Sequence, residues 1–379
     1  MSERDLFDVP DEVAYFNCAY YSPLLNESRR RLMESAAAKS HPWERTTASF
    51  FDDAETIRAL ASQLFGGDAD GYAVMPAVSY GISTAARAVR SELAPGDRIL
   101  VIAEEFPSNV LPWRRAAEAT GAQIVTVPTP ADGDWTRATL PMIDARTKVI
   151  AMSTCHWTNG AHIDLAPIAA AGRAHRSILV VDATQSLGAM PFAMAEIRPD
   201  FLVAAAYKWL LSPYGVALMY VSDRWRDAQP LEESWLARDN AYDFTALAEY
   251  SDTYLPGARR FDGGEKATAS LPGAIAALEQ IQAWGIERIA RTLAGVNARI
   301  GARLAQLGFT LPPERLRCPH MFGAVVPAGA VTPAALVTEL RSRKIYISQR
   351  GQSLRFAPHM HINDQDVEHL LDALTTLVA

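Results

Sequence analysis

The chain has 379 residues, 49% of them hydrophobic, and its formal net charge is −7. This length and apolar content are enough to bury a large core, and they favour one large domain joined to a smaller one. The charges form no long run of one sign, which argues against nucleic acid or an anionic membrane surface as a partner.

Short apolar runs rich in Val, Ile and Leu alternate with amphipathic stretches from about residue 54 to residue 221. Runs without polar alternation are typical of strands covered on both faces, and hence of a mostly parallel sheet. They predict seven strands, at residues 72–75, 98–103, 123–127, 148–153, 177–182, 200–206 and 215–221. The spacing of apolar residues predicts helices between them at 79–93, 109–120 and 164–174, with Ser79 and Asp164 as N-caps. This alternation predicts a large, doubly wound α/β domain.

The pattern changes after about residue 265. Two long helical patterns, 271–284 and 286–307, precede short strands at 321–327, 345–347 and 354–356 and a final helix after Asn363 or Asp364. We therefore predict a large domain over residues 15–265 and a smaller α+β C-terminal domain that combines residues 1–14 with residues 266–379.

The cysteines Cys18, Cys155 and Cys318 are far apart in the chain, which disfavours a disulfide framework or a structural zinc site. The first residues lack the apolar core of a signal peptide, and no apolar run approaches the ~20 residues of a membrane-spanning helix. The sequence therefore predicts a reduced, cytoplasmic protein without a metal site.

Two chemically important side chains follow neighbouring predicted strands. SILVVDATQSLG places Asp182 at the end of one strand, and AAAYKWLLSPYG places Lys208 in apolar surroundings just after the next. Ligands bind beyond the carboxyl ends of strands in open α/β sheets, and burial disfavours the ammonium form of a lysine, which helps it attack a carbonyl. Each residue also has an ordinary interpretation, since Asp182 could cap a turn and Lys208 could lie at the surface. Their pairing favours a shared site, in which the carboxylate keeps a heterocyclic nitrogen protonated while the lysine forms an imine and moves a proton.

A third segment, MPAVSYGISTAARAV, runs from a strand through small residues into a helix. A helix N-terminus with free N–H groups and a hydroxyl is suited to a phosphate. The candidate ligands are Ser79 and the N–H groups of Tyr80 and Gly81, although many helices that bind nothing begin with such residues.

The set Asp182-x-x-Gln185 and Tyr207-Lys208-Trp209-Leu210, with a following Pro-x-Gly, resembles the class V aminotransferase family. These are fold-type-I pyridoxal-phosphate enzymes that include cysteine desulfurases, kynureninase and isopenicillin-N-epimerase-like proteins. The resemblance runs from YFNCAYYSPL (15–24) to LRFAPHMHIND (354–364). It implies the PLP-dependent transferase fold type I, pyridoxal 5′-phosphate as cofactor, and a homodimer whose sites use residues of both subunits. The stretch 257–272, with Arg260 and Glu265, is similar to the one that reaches the partner's cofactor.

The resemblance also implies roles around the cofactor ring. Lys208 would form the internal aldimine, Asp182 would pair with the pyridine nitrogen, and Gln185 would hydrogen-bond the phenolic oxygen. Phe106 and Thr184 would lie on opposite faces of the ring. Phe106 stands where desulfurases carry a histidine, and a phenyl ring can stack but cannot transfer a proton; a plain core role for it stays open.

Further contacts follow from the same resemblance. Tyr207 and Ser79 would contact the phosphate, and His156 or Trp157 would lie near the phenolic oxygen. Arg355 would receive the substrate's α-carboxylate through two parallel hydrogen bonds. The segment with Asn17 and Tyr20 would lie near the substrate.

The reaction type is less well determined by the sequence. Desulfurases of the family carry a catalytic cysteine ahead of the C-terminal arginine, and ISQRGQSLRF (347–356) has none, which disfavours persulfide chemistry. The leading hypothesis is transamination of a small amino acid or amine. A β-lyase without a catalytic cysteine (selenocysteine-lyase-like) and an amino-acid epimerase share the same first carbanion and stay open, as does a catalytically silent binding protein on this fold.

Overall fold

The computed structural model describes residues 2–329 and 331–378. The strands are β1 (Ala14–Tyr15), β2 (Tyr72–Met75), β3 (Arg98–Ile102), β4 (Gln123–Val127), β5 (Thr147–Ser153), β6 (Ile178–Asp182), β7 (Phe201–Ala205), β8 (Ala217–Val221), β9 (Phe322–Val325), β10 (Ile345–Tyr346), β11 (Ser348–Arg350) and β12 (Ser353–Phe356). The helices are α1 (Asn26–Ala38), α2 (Asp52–Phe65), α3 (Val78–Val89), α4 (Leu111–Thr120), α5 (Trp135–Thr139), α6 (Leu165–Ala174), α7 (Met194–Ile197), α8 (Leu271–Trp284), α9 (Ile286–Gln306), α10 (Pro333–Ser342) and α11 (Asp364–Val378).

A seven-stranded sheet organises the first two thirds of the chain. Its strand order is β2-β8-β7-β6-β5-β3-β4, with β8 antiparallel to both neighbours and the other pairs parallel. The predicted α/β class and mostly parallel seven-stranded sheet are confirmed. The physical reason is that uninterrupted apolar runs suit strands that are covered on both faces.

Successive side chains along each strand point to opposite faces of this sheet. On β3, Leu100 and Ile102 belong to the core shared with α2, α6 and α8, whereas Ile99 and Val101 belong to the core shared with α3 and α4. Helices on both faces confirm the doubly wound arrangement.

A second core lies in the C-terminal part. The antiparallel sheet β11-β12-β9 packs with α9, α10 and α11, and β1 pairs in parallel with β10, so the N-terminal segment joins this part. The division at residue 265 stays a prediction. The helix α8, which it assigns to the smaller part, packs in the core of the large sheet together with residues of α2.

The starts of two helices test the predicted caps. The Asp164 side chain accepts a hydrogen bond from the N–H of Ala166, which confirms it as the N-cap of α6. The N-cap of α3 is Ala77, whose backbone is extended, and the helix already begins at Val78. The prediction of Ser79 as that N-cap is therefore wrong, because the chain turns into the helix earlier than the polar residue suggests. Among the described helices, none is both long enough and apolar enough to cross a membrane.

Candidate active site

A cavity of about 280 Å³ opens at the carboxyl edge of the large sheet. This volume is close to the lower end of the roughly 300–1,000 Å³ found for ligand pockets. The sheet brings the cavity walls together because β5 and β6 end side by side, with Ser153 opposite Asp182, and β7 ends shortly before Lys208. The predicted site residues that line the cavity are Ser79, Phe106, Trp157, Asp182, Thr184, Gln185, Tyr207 and Lys208.

Lys208 lies in the wall with 7% of its surface exposed. Its Nζ is 5.6 Å from the ring centroid of Phe106 and 5.6 Å from that of Tyr207. Burial lowers the pKa of Lys208 from 10.5 to about 8, and the charge of Asp182 opposes that shift. Because low polarity disfavours the ammonium ion, a substantial part of this amine is free at mildly alkaline pH.

Asp182 is the last residue of β6 and is 5% exposed. Its Oδ1 accepts the N–H of Thr184 at 2.9 Å, and Oγ1 of Thr184 accepts the N–H of Ala205 at 3.2 Å. Burial raises the pKa of Asp182, while the Thr184 hydrogen bonds and Lys208 lower it. Thr184 thus ties the carboxylate to the end of β7, the strand that leads to Lys208.

Gln185 connects distant parts of the chain at the cavity wall. Its Nε2 donates to the carbonyl oxygen of Ala19 at 3.1 Å, and its Oε1 accepts Nε1–H of Trp209 at 2.9 Å. The amide has two N–H groups, and these bonds use one of them. The side chain is therefore held in place by the N-terminal segment and by the residue that follows Lys208.

The first turn of α3 forms one end of the cavity. Ala77, Val78 and Ser79 line it, and the first four N–H groups of a helix, here from Ala77 to Tyr80, have no carbonyl partner within the helix. Gly81 differs, because its N–H donates to the carbonyl oxygen of Ala77 at 3.3 Å. This corrects the expectation that Gly81 is a free donor. A Cβ at Gly81 would lie 2.7 Å from Cγ1 of Val203, so its small size lets α3 pack closely on the sheet.

Between the two neighbouring candidates His156 and Trp157, the structure brings Trp157 to the cavity. Both ring nitrogens of His156 are engaged, with Thr158 Oγ1 at 2.8 Å and the carbonyl oxygen of Ala103 at 3.2 Å, and the ring stacks on Trp135 outside the cavity. The Trp157 ring packs edge-to-face with Phe106, with 5.5 Å between the ring centroids.

Arg355 is buried behind Trp157 rather than in the cavity wall itself. Its Nη1 donates to the carbonyl oxygen of Trp157 at 2.6 Å and its Nε to Oγ of Ser348 at 3.1 Å, while Nη2 is buried without a partner. Burial, reinforced by the charge of Arg350, lowers the pKa of Arg355 to about 9. A buried guanidinium with a free N–H is costly without an anion, so this group is suited to receive one.

The other predicted residues lie outside the cavity wall. Asn17 is next to Ala357 and its Oδ1 is buried without a partner, whereas Tyr20 is 63% exposed. Arg260 pairs with Asp227, and Glu265 accepts a hydrogen bond from Trp235. Their roles toward a substrate or a partner subunit stay predictions.

The sequence reasoning missed several cavity residues, among them Ser108, Ser153 and Tyr214 and the two ionisable groups of Glu105 and Cys155. Glu105 is 8% exposed and accepts the N–H of Phe106 at 2.8 Å; burial and the charge of Asp182 raise its pKa to about 7. Cys155 is 1% exposed; burial acts to raise the pKa of its thiol, but contacts with Cys318 and His320 outweigh this and lower it. Their positions in the sequence could have revealed both residues, because each follows closely after a strand of the parallel sheet.

Comparison with known proteins identifies relatives of this chain. The chain is 27% identical over 328 residues to an uncharacterized aminotransferase, YcbU, of Bacillus subtilis, covering 84% of this chain and 82% of the relative. It is 27% identical over 203 residues to a cysteine desulfurase of Pectobacterium atrosepticum, covering 53% of this chain but only about half (49%) of that protein.

Solved structures show the same fold. An apo cysteine desulfurase from Thermococcus onnurineus superposes with a TM-score of 0.88 at 19% identity, covering 100% of this chain and 98% of that one. A mutant of the cystine C-S lyase C-DES, with glycine covalently linked to its PLP cofactor, superposes with a TM-score of 0.87 at 19% identity and full coverage of both chains (100% each). The family model for class-V aminotransferases matches residues 22–367. The chain therefore belongs to the class-V aminotransferase family.

Proposed function

We propose that this chain is a pyridoxal-phosphate-dependent enzyme that transaminates a small amino acid or amine, with Lys208 as the residue that binds the cofactor covalently. The observation that carries the proposal is the buried Lys208, with a lowered pKa, in the same cavity as the buried carboxylate of Asp182. An amine nucleophile and an acid around one small cavity suit a cofactor that carries both an aldehyde and a basic ring nitrogen.

The donor set fits pyridoxal phosphate. The unpaired N–H groups at the start of α3 and the hydroxyl of Ser79 suit a phosphate. Asp182 lies at the cavity wall, where it can hold a proton on the pyridine nitrogen, and Phe106 supplies an apolar face for the ring. When bound, the cofactor supplies an aldehyde for amines and a ring that delocalises the charge left at the substrate's α-carbon.

The protein's own groups divide the remaining work. Lys208 can take the α-proton at Nζ, because burial leaves part of its amine unprotonated near neutral pH. Phe106, which has no group that carries a proton, cannot share this step. Arg355, with its buried and unpartnered Nη2, is the group we assign to the substrate's α-carboxylate.

One likeness favours a second candidate, β-elimination that releases sulfide: the cystine C-S lyase C-DES has the same fold as this chain. β-Elimination begins with the same removal of the α-proton by Lys208 and needs no enzyme thiol, so the buried Cys155 of the cavity wall is not required for it. We rank it below transamination because that likeness is at 19% identity, whereas the relative YcbU, named an aminotransferase, is 27% identical and covers 84% of this chain.

The test is a screen of amino acids with the protein loaded with pyridoxal phosphate. Transamination predicts one keto acid formed per cofactor with loss of the visible absorption and no free ammonia. Release of ammonia or sulfide with the absorption retained would favour the lyase. In Lys208→Ala we expect no covalently bound cofactor absorption once free cofactor has been removed, and activity lower by ~10²- to 10⁴-fold. The exposed Lys39→Ala serves as the matched control. A protein that takes up no cofactor would contradict both candidates.

The homodimer implied by the family resemblance is part of the proposal. It is supported by exposed aromatic side chains outside the cavity, among them Trp43 (76% exposed) and Tyr250 (83% exposed). Analytical ultracentrifugation of the purified protein tests it, and a monomer at micromolar concentration would contradict it.

A further inference from the structure

A second arginine lies on the same face of the C-terminal sheet as Arg355. In the antiparallel pair β11–β12, Ser348 is opposite Arg355 and Arg350 is opposite Ser353. Opposite residues, and residues two apart on one strand, share a face. The hydrogen bond from Arg355 Nε to Ser348 Oγ at 3.1 Å agrees with this register. The register thus directs the Arg350 side chain to the side of the sheet that carries Arg355.

Arg350 lies close to Trp157, the residue whose carbonyl oxygen accepts a hydrogen bond from Arg355. The Cζ of Arg350 is 5.5 Å from the ring centroid of Trp157, and Trp157 lines the cavity. The Trp157 ring therefore lies against Phe106 on one side and close to Arg350 on another. The positive charge of Arg350, like that of Arg355, also lowers the pKa of Lys208, which places both charges within electrostatic reach of the proposed catalytic amine.

Neither arginine has an acidic partner in residues 2–329 and 331–378. Arg350 Nη1 donates to the carbonyl oxygen of Gln349 at 2.7 Å and its Nε is buried without a partner. Arg355 is bonded to a carbonyl oxygen and a hydroxyl, and its Nη2 is buried without a partner. By contrast, the buried Arg58 is paired with Asp262.

Arg355 is fully buried and Arg350 is half-buried, and two positive charges held near each other in this way without a carboxylate are unfavourable. A ligand that brings negative charge to both arginines would offset this unfavourable free energy. The α-carboxylate that we assign to Arg355 would leave Arg350 without a partner. The Trp157 ring beside it offers an apolar surface for the methylene groups that would separate two acidic groups of one substrate.

We propose that Arg350 binds a second carboxylate, so that the substrate is a dicarboxylic amino acid of the aspartate or glutamate class. This inference rests on the proposed function and narrows its substrate. Arg350 is then a specificity-determining residue, whereas Lys208 performs the proton transfer.

The experiment compares the cofactor-loaded wild type with Arg350→Ala, Arg350→Glu and the exposed Arg341→Ala as matched control. The substrates are aspartate, glutamate, alanine and lysine, and kcat/KM is measured for each. Because a charge-assisted hydrogen bond is lost, we expect Arg350→Ala to lower kcat/KM for the preferred dicarboxylic substrate by ~10- to 100-fold and that for alanine by less than ~3-fold. Arg350→Glu is expected to shift the preference toward lysine, and Arg341→Ala to leave the profile unchanged.

A second readout does not depend on turnover. Titration calorimetry of maleate and butyrate into the same proteins should show tighter binding of maleate to the wild type and loss of that preference in Arg350→Ala. Equal losses for alanine and the dicarboxylic substrates, or a wild type that binds maleate no better than butyrate, would overturn the inference. Failure to take up cofactor would overturn the proposed function instead, and the maleate titration would still decide whether Arg350 binds a second carboxylate.

Discussion

At the residue scale, the reactivity of Lys208 is set mainly by the removal of water. Burial lowers its pKa to about 8, so the free amine increases as the pH rises through 8. We expect the rate at which the protein without cofactor captures pyridoxal phosphate to rise with pH and to level off above about 8. Stopped-flow absorbance measures this rate. An inflection near the ordinary value of 10.5 would contradict the environment described for Lys208.

Glu105 adds a second titrating group beside Asp182. Its pKa is raised to about 7 by burial and by the charge of Asp182, so it is neutral below pH 7 and becomes a second negative charge above it. The variant Glu105→Gln keeps the shape of the side chain but cannot ionise. We expect the visible absorption of the cofactor-loaded wild type to change near pH 7 and that step to be absent in Glu105→Gln. A step that persists in the variant would assign it to another group.

At the element scale, the position of α3 depends on a glycine. A Cβ at Gly81 would lie 2.7 Å from Cγ1 of Val203 and 2.8 Å from Sδ of Met75, so Gly81→Ala must push the helix away from the sheet. We expect a loss of ~1–3 kcal/mol in the free energy of unfolding and weaker cofactor binding, because the N–H groups that we assign to the phosphate move with the helix.

The matched control is Gly295→Ala in α9. This glycine is exposed, and a Cβ there would meet nothing within 4 Å. Helix propensity predicts that the change stabilises the protein by ~0.5–1 kcal/mol. Urea unfolding and fluorescence titration with pyridoxal phosphate measure the two effects. A Gly81→Ala protein as stable as Gly295→Ala would show that α3 is not packed as described.

At the scale of the whole molecule, a buried ion network joins distant parts of the chain. Asp262 pairs with Arg58 of α2 and with Lys266, and its Oδ1 accepts the N–H of Val74 in β2 at 2.8 Å. Because β2 leads directly into α3, at the end of the cavity that we assign to the phosphate, the network supports this end of the site. Removing one member leaves a buried charge unpaired, so Asp262→Asn should lower the free energy of unfolding by ~3–5 kcal/mol.

The pH dependence of this contribution follows from the pKa of Asp262. Burial acts to raise it, but Arg58 and Lys266 outweigh burial and lower it from 3.8 to about 2. The stabilisation is therefore fully present above pH 3.8 and is lost as the pH falls through 2. Urea unfolding at pH 7 and at lower pH should show the wild type losing its advantage over Asp262→Asn in that window. The exposed pair of Arg115 and Glu118 provides the control, since Glu118→Gln should change stability by less than ~1 kcal/mol.

Local sequence patterns were sufficient to predict much of the fold. The apolar runs predicted the seven strands of the large sheet because a strand buried on both faces must be apolar along its whole length. The same patterns placed Asp182 and Lys208 at the ends of neighbouring strands, and parallel strands bring such ends to one edge. The prediction for Gly81 was wrong because a residue's local sequence does not reveal which N–H is already bonded.

The sequence by itself determined the α/β class, the succession of strands and helices along the chain, and the proposed pair of amine and carboxylate. These features depend on residue type and short-range periodicity. Tertiary structure decided the rest: that Trp157 rather than His156 faces the cavity, that Glu105 and Cys155 line it, and that Arg355 lies behind Trp157. These features depend on burial and on contacts between segments far apart in the chain. Such contacts are set by how the elements pack, and no local pattern carries that information.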